Sequence, residues 1–450
     1  MKDKTIHVWP QGTTINPDGA LQLGEHDVRD LAAEFATPLF VLNEDDFRAR
    51  ARMFREAFQT AFAEIGSDVD VYYAGKAFLC SAVARWVVAD GLRLDTCTGG
   101  ELAVAARAGV PGPKLGLHGN NKSDAEIARA IDMGVGRIVL DSLPEIEQVV
   151  AAAKRSGRRV SVMVRVTTGI HAGGHEFIST AHEDQKFGLS LADGSAMRAI
   201  ESVLGHRDEL ELLGIHTHIG SQIQDSAAFI VSARKLLELR ALVQQRTGFL
   251  MPEVDLGGGF GIAYTAVDEP VNVPALAREL ASSIDTLCTE LDTPVPRISI
   301  EPGRAIAGPS TVTLYRVGVV KPVTVDDTDC RVRTYVSVDG GMSDNIRPAL
   351  YGAEYAAKLA NRQSNKLKVR SRIVGKHCES GDIVIPDIDL PADIMAGDLL
   401  AVPATGAYGR SMASNYNMVT RPAVVALRGA EARVIVRRET EDDLLALDIG

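Results

Sequence analysis

Residues 71–77, VYYAGKA, form an apolar and aromatic run that predicts a buried β-strand, and this run closes on a lysine. Seven further short runs rich in β-branched residues follow as far as residue 303, and amphipathic helical patterns separate them. Eight strands with intervening helices over about 250 residues are typical of an α/β fold of the closed (β/α)8, or TIM, type, because an open doubly wound sheet usually has fewer strands. The other predicted strands are RLDTCT (93–98), KLGLHG (114–119), RIVLDS (137–142), VSVMVRV (160–166), LLGIHTH (212–218), EVDLGG (253–258) and RISIEPG (297–303).

The pattern changes after about residue 305. Strand-like stretches such as STVTLYRVGVVKPVTV (310–325) are separated by Gly, Asp and Pro, with little helical periodicity between them. We therefore predict a barrel over residues 46–305 and a C-terminal β-rich domain, of a sandwich or barrel-like kind, over residues 306–450. A long loop, residues 167–188, interrupts the barrel rhythm after the fifth strand, and loops of that length are commonly functional or disordered.

Composition restricts the function. The 450 residues are 46% hydrophobic and carry a net charge of −11, which disfavours nucleic-acid or anionic-membrane binding and favours a small-molecule partner. The five cysteines are scattered and include no CxxC pair, so they indicate reduced thiols of a cytoplasmic protein. The amino-terminal residues have no apolar signal-peptide core, and no run approaches 18 apolar residues, so we expect neither a signal peptide nor a membrane span.

In such a barrel the active site lies at the carboxyl ends of the strands, and polar residues collect at those ends here. Lys76 ends the first predicted strand, His118 the third, and Glu301 the eighth. Taken alone, Lys76 is as well explained by an amine that reaches solvent as by a buried, desolvated nucleophile able to form an imine with an aldehyde cofactor. Lys186 is a rival whose polar loop is less suited to burial.

The segment DLGGGFGI, residues 255–262, follows the seventh strand. A glycine run can serve only a tight turn, but its N–H groups can also bind a phosphate. The GxGxxG spacing is absent and no GxxxxGK[ST] motif occurs, which disfavours a dinucleotide or a nucleoside triphosphate and leaves a monophosphate cofactor.

The segments around Glu301 and His216 offer further polar groups. Glu301 and Arg304 can be interpreted as an ordinary ion pair on the surface. Alternatively, Glu301 could hold a proton on the nitrogen of a pyridine cofactor, and Arg304 could bind a carboxylate. In HTHIGSQI (216–223), His218 and Ser221 could contact a ring and a phosphate, whereas His216 is best explained as a core histidine with its hydrogen bonds satisfied.

The β-rich part contains GKHCESGDIV, residues 375–384. Its His377, Cys378 and Glu379 could be metal ligands, but no second Cys or His cluster completes such a site, so we expect no metal. A Cys beside a Glu can instead donate a proton and accept a substrate ammonium group. Arg347, Tyr351 and Tyr408 could each be structural.

Together these residues resemble the diaminopimelate decarboxylases, pyridoxal-phosphate enzymes of the alanine racemase-like, fold-III group. The resemblance covers nearly the whole chain, and its most specific motifs are HCESGD and HEDQKFG. The motifs that carry it are TPLFVLNEDDFRAR, YYAGKAF, CTGGELAVA, LHGNNKS, HEFISTAHEDQKFGLS, HIGSQI, DLGGGFGI, EPGR, IRPALY, HCESGDI and YNMVTRPAVV.

The resemblance implies a role for each matching position. Lys76, Cys378 and His218 would be catalytic: Lys76 would bind the aldehyde of pyridoxal 5′-phosphate through an amine that burial keeps nucleophilic, Cys378 would return a proton to the substrate, and His218 would lie against the ring. Further cofactor contacts would come from Ser221, Gly258, Gly259, Glu301, Pro302, Gly303, Arg304 and Tyr408. Substrate contacts would come from Arg304, Arg347, Tyr351, Glu379 and Tyr408.

The reaction implied is decarboxylation of meso-2,6-diaminoheptanedioate (meso-diaminopimelate) to L-lysine and CO2, in a homodimer whose subunits share active sites. The family architecture also implies that residues 1–45 pack with the β domain. Two other enzymes of this fold remain open, a decarboxylase of ornithine or arginine and a racemase. A non-catalytic protein that binds the cofactor is a third alternative, but it would have no use for Cys378 and Glu379.

Overall fold

The computed structural model describes residues 6–170, 185–326 and 331–450. Part of the predicted 167–188 loop and Cys330 lie outside these described residues. The chain forms two compact units, a β unit of residues 1–49, 262–270 and 304–450 and a barrel unit of residues 50–261 and 271–303. The predicted barrel, residues 46–305, included residues 262–270, but in the structure these residues group with the β unit. The reason is that Ala263 belongs to the apolar core of the β unit and Thr265 accepts a hydrogen bond from His7.

The strands are short in the barrel and longer in the β unit. The first four are β1 (Thr13–Ile15), β2 (Leu21–Leu23), β3 (His26–Asp27) and β4 (Leu39–Asn43). The next nine are β5 (Val69–Ala74), β6 (Arg93–Thr96), β7 (Leu115–Leu117), β8 (Arg137–Leu140), β9 (Val160–Thr167), β10 (Leu189–Ser190), β11 (Leu210–His216), β12 (Glu253–Asp255) and β13 (Arg297–Ile300). The last eight are β14 (Thr311–Asp326), β15 (Arg331–Val338), β16 (Lys358–Leu359), β17 (Lys368–Val374), β18 (Ile383–Pro391), β19 (Leu399–Val402), β20 (Ala423–Arg428) and β21 (Glu431–Val436).

The helices alternate with the barrel strands and become rare after residue 307. They are α1 (Val28–Phe35), α2 (Glu44–Ala63), α3 (Ser81–Ala89), α4 (Gly99–Ala108), α5 (Asp124–Met133), α6 (Leu143–Ser156), α7 (Ser195–Gly205), α8 (Ala227–Thr247), α9 (Val273–Glu290), α10 (Arg304–Ala307), α11 (Arg347–Tyr351) and α12 (Glu441–Leu445). In the part of the chain that the structure describes, no helix is both long and apolar enough to cross a membrane.

The predicted eight-stranded barrel is confirmed. Its strands pair in the order β9, β11, β12, β13, β5, β6, β7, β8, all in parallel, and β8 pairs with β9 to close the ring. The short strand β10 adds to β9 from outside this ring. Seven of the eight strands end two or three residues before the predicted limit, since the last residues of those predicted segments turn out of the sheet, and β9 ends one residue after it. The first strand, for example, ends at Ala74 rather than at residue 77.

Local sequence signals account for the helices around the barrel. In α5, the Ser123 hydroxyl accepts the Glu126 N–H and the Glu126 carboxylate accepts the Ser123 N–H, which is a complete capping box. The helix ends at Gly134, whose φ of 64° is readily adopted by glycine. Buried Ile127 and Ile131 lie one turn apart on the face that packs inward.

The separate β-rich domain is also confirmed. Its central strand, β4, is fully buried and has β14 antiparallel on one side and β20 parallel on the other. The core around it contains Leu39 and Val41 of β4, Leu314 of β14 and Val425 of β20, and Trp9 packs into the same cluster.

Candidate active site

A cavity of about 400 Å³ lies at the carboxyl ends of the barrel strands. Its wall includes Lys76, His218 and Glu301, three of the residues that the sequence singles out. Gln185 and Phe187, from the end of the predicted 167–188 loop, also line it. Polar side chains from several strand ends therefore meet in one place, as in other barrels of this type.

Lys76 lies in the turn after β5 and its side chain is exposed, so the prediction of a buried amine is wrong. The reason is the turn itself. Gly75 donates its N–H to the Asp95 carbonyl at 3.0 Å, and a Cβ at Gly75 would lie 2.7 Å from that oxygen, so the start of the turn approaches β6 closely enough to require glycine. The Tyr73 hydroxyl closes the turn by donating to the Phe78 carbonyl at 2.7 Å. Lys76 is thereby raised from the strand to the cavity wall.

Glu301 is the buried carboxylate of the cavity. Its N–H donates to the Gly257 carbonyl at 2.9 Å, which fixes the segment after β13 against the one after β12. Three cationic or imidazole nitrogens approach the same carboxylate oxygen, Oε1: His216 Nε2 at 3.2 Å, His118 Nε2 at 3.3 Å and Arg137 Nη2 at 3.5 Å. Burial raises the pKa of Glu301, while His118 and Arg137 act in the opposite direction.

The two histidines beside Glu301 are neutral. Burial lowers the pKa of His118 to about 4, against the opposing effect of Glu301, and burial lowers the pKa of His216 well below its usual value. Their rings meet edge to face with centroids 5.1 Å apart. Neither ring nitrogen of His216 has a hydrogen-bond partner among the described residues, so the prediction of a satisfied core histidine is wrong. Its ring lies within the polar cluster instead.

The barrel interior also holds a buried arginine, Arg137, that was not predicted from the sequence. The Arg137 guanidinium lies 2.6 Å from Asp255 Oδ2 and 3.0 Å from the Ser299 hydroxyl, and it stacks 3.6 Å from the centre of the Tyr72 ring. Asp95 Oδ1 is 3.7 Å away. Burial raises the pKa of Asp95 to about 7, opposed by Arg137. In the sequence, Arg137 begins a predicted strand, where a charged residue usually marks a solvent-exposed end.

The glycine segment after β12 packs closely against its neighbours. Gly258 donates its N–H to His218 Nδ1 at 3.3 Å, and a Cβ there would lie 2.3 Å from the Glu301 carbonyl. Gly257 donates its N–H to Asp255 Oδ1 at 2.7 Å. The N–H groups of Gly257 and Gly258, which could have bound a phosphate, thus have acceptors within the protein. Gly259 has a φ of +105°, which favours glycine.

The remaining predicted cofactor residues of the barrel unit surround this segment. Ser221 is exposed, and the bridge between Ile223 and Phe260 lies two residues beyond it along the chain. The Pro302 carbonyl accepts the Ala74 N–H at 3.3 Å, which joins the segment after β13 to the end of β5. A Cβ at Gly303 would lie 2.9 Å from the Ala74 carbonyl, so this close approach requires glycine.

These observations fit pyridoxal phosphate. The cavity holds a primary amine that can react with an aldehyde and a carboxylate that can hold a proton on a pyridine nitrogen. Ring nitrogens of His118 and His216 without hydrogen-bond partners among the described residues border the same space. A volume of about 400 Å³ is within the range of small-molecule sites.

Two arginines of the β unit lie in a cluster of tyrosines. Arg304 donates to the Tyr264 hydroxyl at 2.5 Å and its guanidinium lies 4.9 Å from the centre of the Tyr408 ring. Buried Arg347 donates to the Tyr355 hydroxyl at 2.5 Å and lies 4.7 Å from the Tyr264 ring centre. Tyr264 and Tyr355 were missed from the sequence, because isolated tyrosines in loops carry no pattern.

Tyr351, in contrast, is not brought into this cluster. It is the last residue of α11, and 65% of its surface is exposed. Arg347 begins the same short helix and is only 6% exposed. The helix therefore separates the two residues, with the arginine inside the β unit and the tyrosine on its surface.

A hydrogen-bonded loop presents Cys378 and Glu379, which are both exposed. The buried ring of His377 is 2.8 Å from the Ser343 hydroxyl through Nε2 and 3.3 Å from Asn417 Oδ1 through Nδ1. Asn417 Oδ1 also accepts the Cys378 N–H at 3.2 Å. Both nitrogens of His377 thus face protein groups, and Asn417 fixes the backbone at Cys378.

The chain is similar to known proteins over nearly its whole length. Residues 44–308 match the family described as pyridoxal-dependent decarboxylase, pyridoxal binding domain. The chain is 51% identical to the diaminopimelate decarboxylase of Mycobacterium tuberculosis over 450 residues, with 98% of each chain covered. It is 43% identical to the diaminopimelate decarboxylase of Bacillus subtilis over 434 residues, with 96% of each chain covered.

A solved structure agrees with these sequence matches. The crystal structure of diaminopimelate decarboxylase from M. jannaschii in complex with L-lysine superposes with a TM-score of 0.89. The two chains are 32% identical, and 98% of each is covered. The similarity therefore extends over both the barrel unit and the β unit.

Proposed function

The chain belongs to the diaminopimelate decarboxylase family of pyridoxal-dependent decarboxylases, and from this premise we propose how its own residues carry out the reaction. The enzyme decarboxylates meso-diaminopimelate to L-lysine and CO2, in lysine biosynthesis, with pyridoxal 5′-phosphate as cofactor. The bound cofactor supplies a ring that accepts the electrons of the broken bond between Cα and the carboxylate. The observation that carries our assignment is the cavity where Lys76, His218 and Glu301 meet.

On the cofactor side, we assign three roles. Lys76 Nζ would hold the cofactor through its aldehyde carbon, and Glu301 would hold a proton on the ring nitrogen. His218 offers a neutral flat ring, because burial lowers its pKa well below the usual value, with the nearby Lys76 acting in the same direction. The hydrogen bond from the Gly258 N–H to Nδ1 fixes the orientation of that ring. Ser221, Gly259, Pro302, Gly303, Arg304 and Tyr408 complete the proposed cofactor contacts.

On the substrate side, Arg304 and Arg347 bind the distal carboxylate. Two guanidiniums held by tyrosines suit a substrate that has a second carboxylate, since a planar guanidinium can bind a carboxylate through two hydrogen bonds. A decarboxylase that makes a simple diamine would leave these charges unmatched. Tyr408, beside Arg304, contacts both substrate and cofactor, and Tyr351 is a further substrate contact in this proposal.

We further propose a homodimer with shared active sites. Cys378 and Glu379 are exposed in the single chain, which is where residues that serve a second copy must lie. In this arrangement the Cys378 thiol donates a proton to Cα after CO2 has left, and Glu379 binds the distal ammonium group of the substrate. The proton is replaced from solvent before the next turnover.

Substrate specificity tests the proposed function directly. The enzyme supplied with pyridoxal phosphate is assayed for CO2 release from meso-diaminopimelate, L-lysine and L-ornithine, and for interconversion of D- and L-amino acids. We expect meso-diaminopimelate to be preferred by far. Faster release from lysine or ornithine would refute our assignment of the arginines, and interconversion without CO2 release would indicate a racemase.

Lys76 is tested against the rival lysine of the sequence. We expect Lys76→Ala to abolish both activity and the link to the cofactor that borohydride reduces. Lys186→Ala is the matched control and should retain that link, because our assignment gives the reaction with the aldehyde to Lys76 alone. A reducible link that persists in Lys76→Ala but not in Lys186→Ala would show that the wrong lysine was chosen.

Subunit mixing tests the shared site. Lys76→Ala and Cys378→Ala proteins, each inactive, should regain up to about a quarter of the wild-type activity when their subunits exchange, because one site of the mixed dimer is then intact. Mixing two separately tagged Lys76→Ala proteins is the control and should restore nothing. No recovery despite demonstrated exchange would contradict the shared site.

We also propose that the enzyme resides in the cytoplasm. The four described cysteines, Cys80, Cys97, Cys288 and Cys378, form no disulfide bond, as is usual in a reducing compartment. Fractionation of cells that produce the tagged chain should recover it with cytoplasmic markers, and recovery with an extracytoplasmic fraction would contradict this location.

A further inference from the structure

Asp382 is a buried aspartate of the β unit that has no role in the mechanism above. It lies between Glu379 and the start of β18, and only 3% of its surface is exposed. Its carboxylate accepts two backbone N–H groups: Oδ1 accepts that of Met342 at 2.6 Å, and Oδ2 accepts that of His377 at 2.8 Å. One side chain therefore joins the segment after β15 to the residue that precedes Cys378.

Two glycines make room for this carboxylate. A Cβ at Gly341 would lie 2.5 Å from Asp382 Oδ1, and a Cβ at Gly375 would lie closer still to Oδ2. The backbone at both glycines thus packs directly on the carboxylate oxygens. Because protein interiors are close-packed, we expect the Asp382 side chain to have one position, in which it holds both N–H groups.

Two contacts that hold Glu379 do not use the Asp382 carboxylate. The Asp382 N–H donates to the Glu379 carbonyl at 3.1 Å, and the Gly381 N–H donates to Glu379 Oε1 at 3.2 Å. The carboxylate therefore acts on the Cys378 side of the loop, through His377, whereas Glu379 is held by backbone groups.

We propose that Asp382 is a positioning residue for Cys378: its carboxylate fixes the backbone that presents the thiol, because it binds the N–H of the preceding residue. A carboxylate suits this task, since it accepts hydrogen bonds from backbone N–H groups more strongly than a neutral oxygen does. The inference rests on the proposed role of Cys378 as the proton donor. It adds that proton return to Cα depends on the two N–H groups that Asp382 holds.

A purely structural role is the alternative, in which Asp382 stabilises the β unit without determining where the thiol lies. Asp398 provides the matched control, because it is also 3% exposed and its Oδ2 accepts the Met395 N–H at 3.0 Å in the same unit. Its side chain also binds Arg362, which lies in neither of the two segments that the Asp382 carboxylate joins.

The first test compares Asp382→Asn with Asp398→Asn in steady-state assays of CO2 release from meso-diaminopimelate. The asparagine oxygen can accept one of the two N–H groups, but its NH2 faces the other. We expect Asp382→Asn to lower kcat about tenfold and to change KM by less than about threefold, since Glu379 keeps its own contacts. Asp398→Asn should keep at least about half of the wild-type kcat. Equal losses of kcat in the two variants, or a change in KM alone for Asp382→Asn, would overturn the proposal.

Hydrogen exchange gives a readout that does not depend on turnover. Exchange of the amide N–H groups in residues 340–344 and 375–382 is followed by mass spectrometry in the enzyme loaded with pyridoxal phosphate. In Asp382→Asn, the N–H of Met342 or of His377, whichever faces the new NH2, should exchange at least about tenfold faster than in wild type. Both should exchange at the wild-type rate in Asp398→Asn, and unchanged rates in Asp382→Asn would contradict the positioning role.

Ser343→Ala keeps the proposal testable if Asp382→Asn fails to fold. The Ser343 hydroxyl lies 2.8 Å from His377 Nε2, so it holds the same residue through a side-chain contact. This variant should lower kcat about threefold and leave KM unchanged, as expected for the loss of one neutral hydrogen bond. A wild-type kcat for Ser343→Ala would then overturn the proposal.

Subunit mixing assigns the defect to one part of the shared site. When mixed with Lys76→Ala, Asp382→Asn should rise from about a twentieth to about a quarter of the wild-type activity, because one site of the mixed dimer then has both an intact lysine and an intact loop. When mixed with Cys378→Ala, it should stay near about a twentieth, because no site has both. Recovery with Cys378→Ala instead would place the defect in the barrel unit and refute the positioning of Cys378.

The outcomes separate this inference from the proposed function. If Cys378→Ala keeps the wild-type kcat, the proposed role of Cys378 fails and this inference fails with it. If Cys378→Ala is inactive while Asp382→Asn keeps the wild-type kcat, only the positioning role fails. If Lys76→Ala and Cys378→Ala show no recovery together, the shared site fails, and the kcat and hydrogen exchange of Asp382→Asn still decide the positioning role.

Discussion

Replacement of Arg137 by methionine should destabilise the barrel unit by about 4 kcal/mol at pH 7. The Nη2 to Oδ2 distance to Asp255 is 2.6 Å, and at an effective dielectric constant of about 20 this gives an attraction of about 6 kcal/mol. Methionine keeps most of the apolar contacts of the arginine stem. The net loss is smaller than this attraction, because the folded wild type also bears the cost of removing both charges from water. Measured losses from broken buried pairs, about 3–5 kcal/mol, agree with the expected loss of about 4 kcal/mol.

The two tryptophans of the chain provide the assay. Trp86 lies in α3 of the barrel unit and Trp9 in the β unit, so a Trp9→Phe background leaves one reporter for the barrel. The free energy of unfolding is obtained from urea titrations of Trp86 fluorescence. A single reporter is needed because a protein of two units is not expected to unfold in one step.

A second substitution and a second pH make this prediction specific. Asp255→Asn, added to Arg137→Met, should recover at least half of the loss, since it removes the unpaired charge and keeps the oxygen that accepts the Gly257 N–H. At pH 5 the loss from Arg137→Met should be smaller, because Asp95, whose pKa burial raises to about 7, is then mostly protonated and is no longer attracted by the guanidinium. A loss below about 1 kcal/mol, or one that neither pH nor Asp255→Asn changes, would refute the reasoning.

Three further predictions concern the β unit. Arg347→Met should raise KM for meso-diaminopimelate about 100-fold in steady-state assays, because the variant loses a charge-assisted contact with the distal carboxylate. An unchanged KM would exclude that contact. Asn417→Ala should lower kcat about tenfold with little change in KM, because the Cys378 N–H loses its acceptor. Equal effects on both constants would argue that the Cys378 loop has no role in returning a proton to the substrate. Burial raises the pKa of Asp344 from 3.8 to about 7, so the folded state loses stability as the pH rises between these values. Asp344→Asn should therefore gain up to about 4 kcal/mol relative to wild type between pH 4 and pH 8, measured by Trp9 fluorescence, and a pH-independent difference would contradict this.

Much of the fold follows from periodicity. The eight barrel strands are short apolar runs of the length that a barrel requires, and each alternates with an amphipathic helix, so their number and order are readable. The positions of Lys76, His218 and Glu301 after strand ends are readable for the same reason, because parallel strands of one barrel bring their carboxyl ends together.

The sequence does not show which charged side chains pair with each other. Arg137 and Asp255 sit at the start and end of two strands that are far apart in the chain, and neither segment reveals that the side chains pair inside the barrel. The satisfied-core interpretation of His216 failed for the same reason, since the contact with Glu301 depends on closure of the ring. Lys76 was predicted to be buried because a two-residue turn after Ala74 carries no strong signal in an apolar run.

The position of β4 has a consequence for synthesis on the ribosome. Its residues Leu39–Asn43 pair with Ala423–Leu427, so the 379 residues 44–422 must be added after Asn43 before the later strand begins. At about 5–20 residues per second the strand waits roughly 20–80 s for this neighbour, whereas every residue of the barrel unit has been made by residue 303. An apolar strand that is fully buried in the finished protein thus lacks both neighbours until β14 is made, and lacks β20 for the rest of that interval. Newly made chains are therefore most exposed to aggregation and to chaperone capture through their first 50 residues.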